Sequence, residues 1–153
     1  MLQALDGGRH RLKRHDPIGA FRFTVTFEDL PPGGFSDCTG LTLETEVLEY
    51  AEGGLNTHTW RFAGRTKQVN VSLKRGLVNR VLWDWHQSNA NGDFRARNCT
   101  IRVQDPSGSA DLLEFSLADA FPVKWLGPEL SAGGNTLAIE TLELAHQGLK
   151  RTR

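Results

Sequence analysis

The sequence predicts a mainly β fold: two packed antiparallel sheets, a β-sandwich or barrel, with one flanking α-helix around residues 76–88. Three observations carry this. Apolar residues alternate with period two over most of the chain, as side chains must on a strand with one buried face. Turn-forming clusters rich in Gly, Pro, Asp and Asn punctuate those runs at intervals typical of all-β domains. Only once, after Gly76, does the apolar spacing change to that of a helix.

Residues 20–28 make the clearest strand, with Phe21, Phe23, Val25 and Phe27 on one face and Arg22, Thr24, Thr26 and Glu28 on the other. The cluster Pro31-Pro32-Gly33-Gly34 stops it. Residues 41–50 alternate next. Leu41, Leu43, Thr45 and Val47 can cover a core, while Thr42, Glu44, Glu46, Leu48 and Tyr50 form a face acidic at one end and apolar at the other. Such a face suits neither plain solvent nor plain interior, and points to contact with another chain. Strand, turn and strand in succession predict that 20–28 and 41–50 pair antiparallel.

After the loop Glu52-Gly53-Gly54-Leu55-Asn56, strand character resumes over 57–62 with Trp60 and Phe62 facing one way. A turn is expected at 63–67, then a strand that buries Val69, Val71 and Leu73 against Asn70, Ser72 and Lys74 outside. In the helix, Leu77, Val78, Val81, Leu82 and Trp85 form one stripe and Trp83 lies off it. Trp83 therefore either folds under a neighbouring loop or anchors a partner, a role for which Trp is enriched. Strands return with Cys99, Ile101 and Val103 on one side. The turn Asp105-Pro106-Ser107-Gly108 follows, then Leu113, Phe115 and Leu117, and then Phe121, Val123 and Trp125 around a bend at Pro122. A turn at 131–135 leads to a closing strand over 137–146 with Ile139, Leu142 and Leu144 apolar. This makes about seven strands, with the helix covering one open end.

Eighteen Lys and Arg balance eighteen Asp and Glu. Zero net charge argues against nucleic-acid binding as the main activity, and removes the long-range repulsion that opposes self-association. The signs are unevenly placed. Arg9, His10, Arg11, Lys13, Arg14 and His15 make a basic run, Lys150, Arg151 and Arg153 another, and Glu44, Glu46, Glu49 and Glu52 concentrate the opposite sign. The charged ends are either solvated or docked on acidic surface of a neighbour. Cys38 and Cys99 lack metal or redox spacing and read as small buried hydrophobes in a reducing compartment. No apolar run is long enough to span a membrane, and residues 1–8 lack the order of a signal peptide. Synthesis in the cytoplasm is expected.

Catalytic patterns are absent from the sequence. Gly34-Phe35-Ser36-Asp37-Cys38 lacks the second glycine of a nucleophile elbow, and Gly64-Arg65-Thr66-Lys67 lacks the spacing of a phosphate loop. His10, His15, His58, His86 and His146 fall in five separate elements, none at zinc-ligand spacing. Glu44 and Glu46 are the best acid pair, about 7 Å apart along a strand. A solvated or inter-chain charged face explains them more simply than catalysis. No enzyme activity, cofactor or metal is expected.

Six pieces in order then carry a resemblance: Gly34-Phe35-Ser36 with Gly40-Leu41; Glu44-x-Glu46-x-x-Glu49-Tyr50; Glu52-Gly53-Gly54-x-Asn56; Gly64-Arg65-x-Lys67; Leu73-Lys74-Arg75-Gly76 with Leu82-Trp83-Asp84-Trp85; and residues 139–144. Together they resemble the inner tail-tube protein family of contractile phage tails and phage-tail-like contractile injection systems, over residues 16–148. The resemblance implies a tail-tube β domain at 16–148, which the charge pattern flanks with a basic N-terminal extension at 1–15 and a basic C-terminal tail at 149–153. It implies hexameric rings that stack into a hollow conduit inside a contractile sheath. Partners would then be further copies of the chain, the sheath protein, baseplate or hub proteins, and cargo or DNA in the channel. The chain would end up within an assembled tail or particle, with no membrane insertion of its own. The loop at 50–57 is the kind that reaches an adjacent subunit. On that reading the inter-subunit residues are Glu44, Glu46, Glu49, Tyr50, Glu52, Gly53, Gly54, Leu55, Asn56, Arg65, Lys67 and Trp83. A tube-initiator ring of the same fold in the baseplate hub is the alternative, and a monomeric ligand-binding β-sandwich a further one.

Overall fold

The computed structural model describes residues 22–54, 56–76, 80–134 and 138–153. Nine strands and one helix follow in order among these residues: β1 (Phe23–Phe27), β2 (Asp37–Thr39), β3 (Leu43–Tyr50), β4 (Trp60–Gln68), β5 (Val71–Gly76), α1 (Val81–Ala90), β6 (Arg97–Gln104), β7 (Asp111–Leu126), β8 (Ile139–Ala145) and β9 (Gly148–Arg151). Every pairing is antiparallel. One layer runs β1-β6-β7-β9 and the other β7-β8-β5-β2, so β7 belongs to both, and no closed barrel forms.

The long strand β7 passes between layers because it bends at Asp119. There the register with β6 slips: Arg97 faces Ala120 while Cys99 faces Leu117, so Asn98 alone opposes Ala118 and Asp119. Asp119 takes φ 47°, a conformation Asp tolerates better than most residues. Its amide donates to Asn98 Oδ1 at 3.3 Å, and Asn98 in turn donates to Glu28 Oε2 through Nδ2 at 3.1 Å. Beyond the bend β7 pairs with β8, with a second irregularity between Pro122 and Lys124 where the sequence predicts its bend.

Alternation decides the core. Val25 and Phe27 from β1, Val71 and Leu73 from β5, Cys99 and Ile101 from β6, Leu117 from β7, and Leu142 and Leu144 from β8 are all buried between the layers. The helix contributes Leu82 and Trp85 from one stripe. The Trp85 ring meets Phe27 edge-on at 5.4 Å, its Nε1 donates to Arg95 O at 2.8 Å, and the Arg97 guanidinium lies 5.0 Å over it. A buried Trp thus has both its apolar face and its one donor satisfied. Cys99 is fully buried, whereas Cys38, opposite Leu73 on the edge strand β2, is half-buried. Neither is in a disulfide.

The structure departs from the sequence reading at definite places. β1 pairs with β6, not with residues 41–50. Residues 63–67 make no turn; β4 continues through them. Leu43 and Val47, expected over the core, are 56% and 50% exposed, since β3 packs almost wholly on β4. Ile139 is likewise largely exposed at the start of β8. The helix ends at Ala90 instead of 88, and Leu77 and Val78 lie outside the described residues, as do Phe21 and Leu55. Gly148–Arg151 adds a strand to β7, with Leu149 buried at its centre, so the basic residues Lys150 and Arg151 sit in a sheet.

Candidate interaction surface

The feature that stands apart from this body is the hairpin formed by β3 and β4. All eight residues of β3 are exposed, as are most of β4, on both faces of the ribbon. The two strands pack extensively on each other and make at most slight contact with the other elements. Isolated two-stranded ribbons are marginal in water, so what holds this one is its register and its root in the body.

The register sorts the side chains into two faces. Leu43 pairs with Gln68, Glu44 with Lys67 and Thr45 with Thr66; after an irregularity, Val47 pairs with Ala63, Leu48 with Phe62, Glu49 with Arg61 and Tyr50 with Trp60. Glu46 alone therefore opposes Gly64 and Arg65, a bulge that sharpens the local twist. One face carries Glu44, Lys67, Glu46 and Arg65 near the root and Leu48, Phe62, Tyr50 and Trp60 towards the tip. The other carries Thr45, Thr66, Val47 and Ala63 with the pair Glu49–Arg61. Gly64 makes room for this packing: a Cβ there would come within 3.3 Å of Leu48 Cγ and 3.1 Å of Glu46 O.

The tip face is strongly apolar for a surface. Leu48 is 53% exposed, Tyr50 59%, Trp60 46% and Phe62 55%. Covering the exposed half of four such side chains would contribute about 1 kcal/mol each. Contiguous apolar surface of this kind marks an interaction site. Polar contacts hold the tip in shape: Trp60 Nε1 donates to Glu52 Oε2 at 3.2 Å, the His58 ring meets Trp60 edge-on at 5.1 Å, and Arg61 Nε lies 3.5 Å from Glu49 Oε1. That ion pair is well exposed and adds little stability. At the tip Gly54 takes φ 90°, which favours glycine, and neither Gly53 nor Gly54 has any atom within 4 Å of where a Cβ would stand.

The structure thus places Glu44, Glu46, Glu49, Tyr50, Glu52, Gly53, Gly54, Asn56, Arg65 and Lys67 along one arm. Trp83 is elsewhere: it lies on α1, 36% exposed, edge-on to Trp125 of β7 at 4.4 Å. Sequence reasoning missed Trp60 and Phe62 as part of the apolar face. The signal was present, because both share the alternation of Leu48 and Tyr50 once the two runs are placed opposite each other.

Elsewhere, a cavity of about 330 Å³ opens between α1 and the start of β6. Of its charged lining, Arg95 lies 3.8 Å from Asp93, Asp84 pairs with Arg80 outside the cavity at 3.2 Å, and Arg97 stacks over Trp85. Among the described residues no group of three or more His, Cys, Asp or Glu gathers to hold a metal. No helix among them is long and apolar enough to cross a membrane.

A two-layer β protein with a projecting two-stranded arm is the class this geometry defines. The chain belongs to the family described as T4-like virus tail tube protein gp19, which matches residues 19–150. Solved structures agree on the fold. A chain of the anti-feeding prophage (AFP) baseplate, in a cryo-EM structure with six-fold symmetrisation, is 26% identical, with TM-score 0.79 over 89% of this chain and 95% of that one. A chain of the PVC sheath–tube complex, an extracellular contractile injection system in its extended state, is 22% identical, with TM-score 0.83 over 96% and 99%. Hcp1 from Flavobacterium johnsoniae is more distant, at 12% identity and TM-score 0.58 over 86% and 95%. No curated protein sequence matches the chain significantly.

Proposed function

We propose that this protein is a structural subunit of the inner tube of a contractile tail or injection system. It forms hexameric rings that stack into a hollow conduit, surrounded by a contractile sheath and seated on baseplate or hub proteins, with cargo or DNA passing through. The observation that carries this reading is the arm of β3 and β4, an apolar-tipped ribbon wet on both faces. An exposed ribbon with free edges is a hazard in a monomer and an adhesive between copies; head-to-tail contacts close into rings or extend along an axis. Family membership and the likeness to chains of a six-fold-symmetrised baseplate and of a sheath–tube complex support it. On this reading Glu44, Glu46, Glu49, Tyr50, Glu52, Gly53, Gly54, Leu55, Asn56, Arg65 and Lys67 contact a neighbouring subunit, and Trp83 is a second contact. The protein has no catalytic role.

A tube-initiator ring in the baseplate hub is the second reading, favoured by the 26% identity to an AFP baseplate chain. The two differ in copies per particle. Electron microscopy of the assembled particle with this subunit labelled separates them: label along the whole tube supports the first, label confined to one end the second. Label absent from the tube and its ends refutes both. The double variant Gly53→Val/Gly54→Val is expected to stay folded and soluble while stacking is abolished; retained tube growth would refute the arm's assigned role.

A further inference from the structure

An arm that makes at most slight contact with the body beyond its root can swivel as far as that root allows. The root consists of two links, from β2 to β3 and from β4 to β5, and the body grips both. On the first link Gly40 takes φ 90°, and a Cβ there would collide with the carbonyl of Asn70 on the second. The two backbones therefore touch where only glycine fits. On the second link, Val69 O accepts a hydrogen bond from His146 Nε2 at 2.9 Å, and Asn70 Nδ2 donates to Glu143 Oε1 at 2.8 Å.

His146 is 6% exposed, at the break between β8 and β9. Because a carbonyl can only accept, Nε2 must carry the proton, and Nδ1 is left buried with no hydrogen-bond partner among the described residues. A buried imidazole with one orphaned nitrogen is costly where an apolar ring of similar size would pack. Its ring hydrogen-bonds to the first residue after β4, where the arm joins the second link. Glu143, three residues earlier, holds the next residue of the same link.

We infer that His146 and the Asn70–Glu143 pair are positioning residues that fix the direction of the arm before it meets its partner. This rests on the reading that the arm carries the contact between copies. Fixing the direction in the free subunit lowers the ordering cost of association, since a swivelling arm would have to be immobilised at each docking event.

The test uses the full chain with genetically encoded spin labels at Asn56, near the arm tip, and at Ala110, on the body, so the native cysteines stay untouched. His146→Phe removes the donor and keeps the ring, His146→Gln restores an amide donor, and Glu143→Ala releases Asn70 at a half-exposed site where folding is not at stake. In the free subunit the tip-to-body distance distribution is expected to be narrow, to broaden at least about twofold in His146→Phe and Glu143→Ala, and to narrow again in His146→Gln. The concentration needed for ring or tube formation is expected to rise about tenfold in the two broadened variants. Unchanged distributions in Glu143→Ala and in folded His146→Phe would overturn the inference, and so would a broadened arm that assembles as readily as before. Should His146→Phe not fold, Glu143→Ala decides alone. If the unaltered subunit forms no assembly under any condition, the tube reading fails while the distance measurement still judges the clamp.

Discussion

Burial raises the thiols of Cys38 and Cys99, to about 11 and about 12, by removing the thiolate from water. A thiol held there is inert, because the thiolate is the reactive form. Cys99 is expected to resist alkylation in the native protein for as long as it stays folded, and to react at once in denaturant, as intact mass would show. Asp105 is moved the other way, to about 2, first by the hydroxyl of Ser107 and then by Ala110 and Ser109 donating to its carboxylate. A carboxylate with a depressed folded value stabilises the turn above the unfolded value near 4, and that contribution disappears as pH falls through 2. A carbon-detected titration of Asp105 should place its midpoint well below those of ordinary aspartates. Inside the body, Arg75 Nε lies 3.6 Å from Glu140 Oε2 with both side chains largely buried, and the Arg75 guanidinium covers the Phe35 ring at 5.8 Å. Removing one member of a buried pair is costly, so Glu140→Ala is expected to lower stability by about 3 kcal/mol in urea denaturation.

At the scale of elements, the arm and the body should respond separately to substitution. Tyr50→Ser/Phe62→Ser alters only side chains that are more than half exposed, so the denaturation midpoint should stay nearly unchanged while self-association weakens by at least about tenfold. Leu73→Ala, by contrast, empties a fully buried site and is expected to cost about 2–5 kcal/mol. Both are read by urea denaturation, with sedimentation for the first. Strands whose one face is buried were legible because Val25, Ile101 and Leu144 obey a period of two that only a half-covered sheet rewards. The arm misled for the same reason. Leu43 and Val47 alternate as core residues do, and alternation records that a face is covered without saying by which chain. Pairing was harder still: that β1 lies beside β6 depends on contacts across some seventy residues, which local pattern does not encode. The 63–67 stretch reads as a turn from its glycine, yet Gly64 serves a bulge within β4. The clamp at the root left no sequence signal, since a lone His among apolar residues looks like any satisfied core histidine.

For the whole molecule, opposite charges that sum to zero leave association to local complementarity, such as the alternating Glu44, Lys67, Glu46 and Arg65 of the arm. If that ladder is matched by a partner, raising salt from 50 mM to 500 mM should speed the dissociation of the proposed rings; apolar contact alone would leave the rate flat or slow it. Strand β7 has a mechanical meaning as well. Because one unbroken segment serves both layers through the bend at Asp119, load applied to either layer reaches the other along covalent backbone. The layers cannot shear past one another by slipping side chains alone. Yielding requires unzipping hydrogen-bonded rungs on one side of the bend, so the subunit should behave under force as a stiff block with a single sharp rupture.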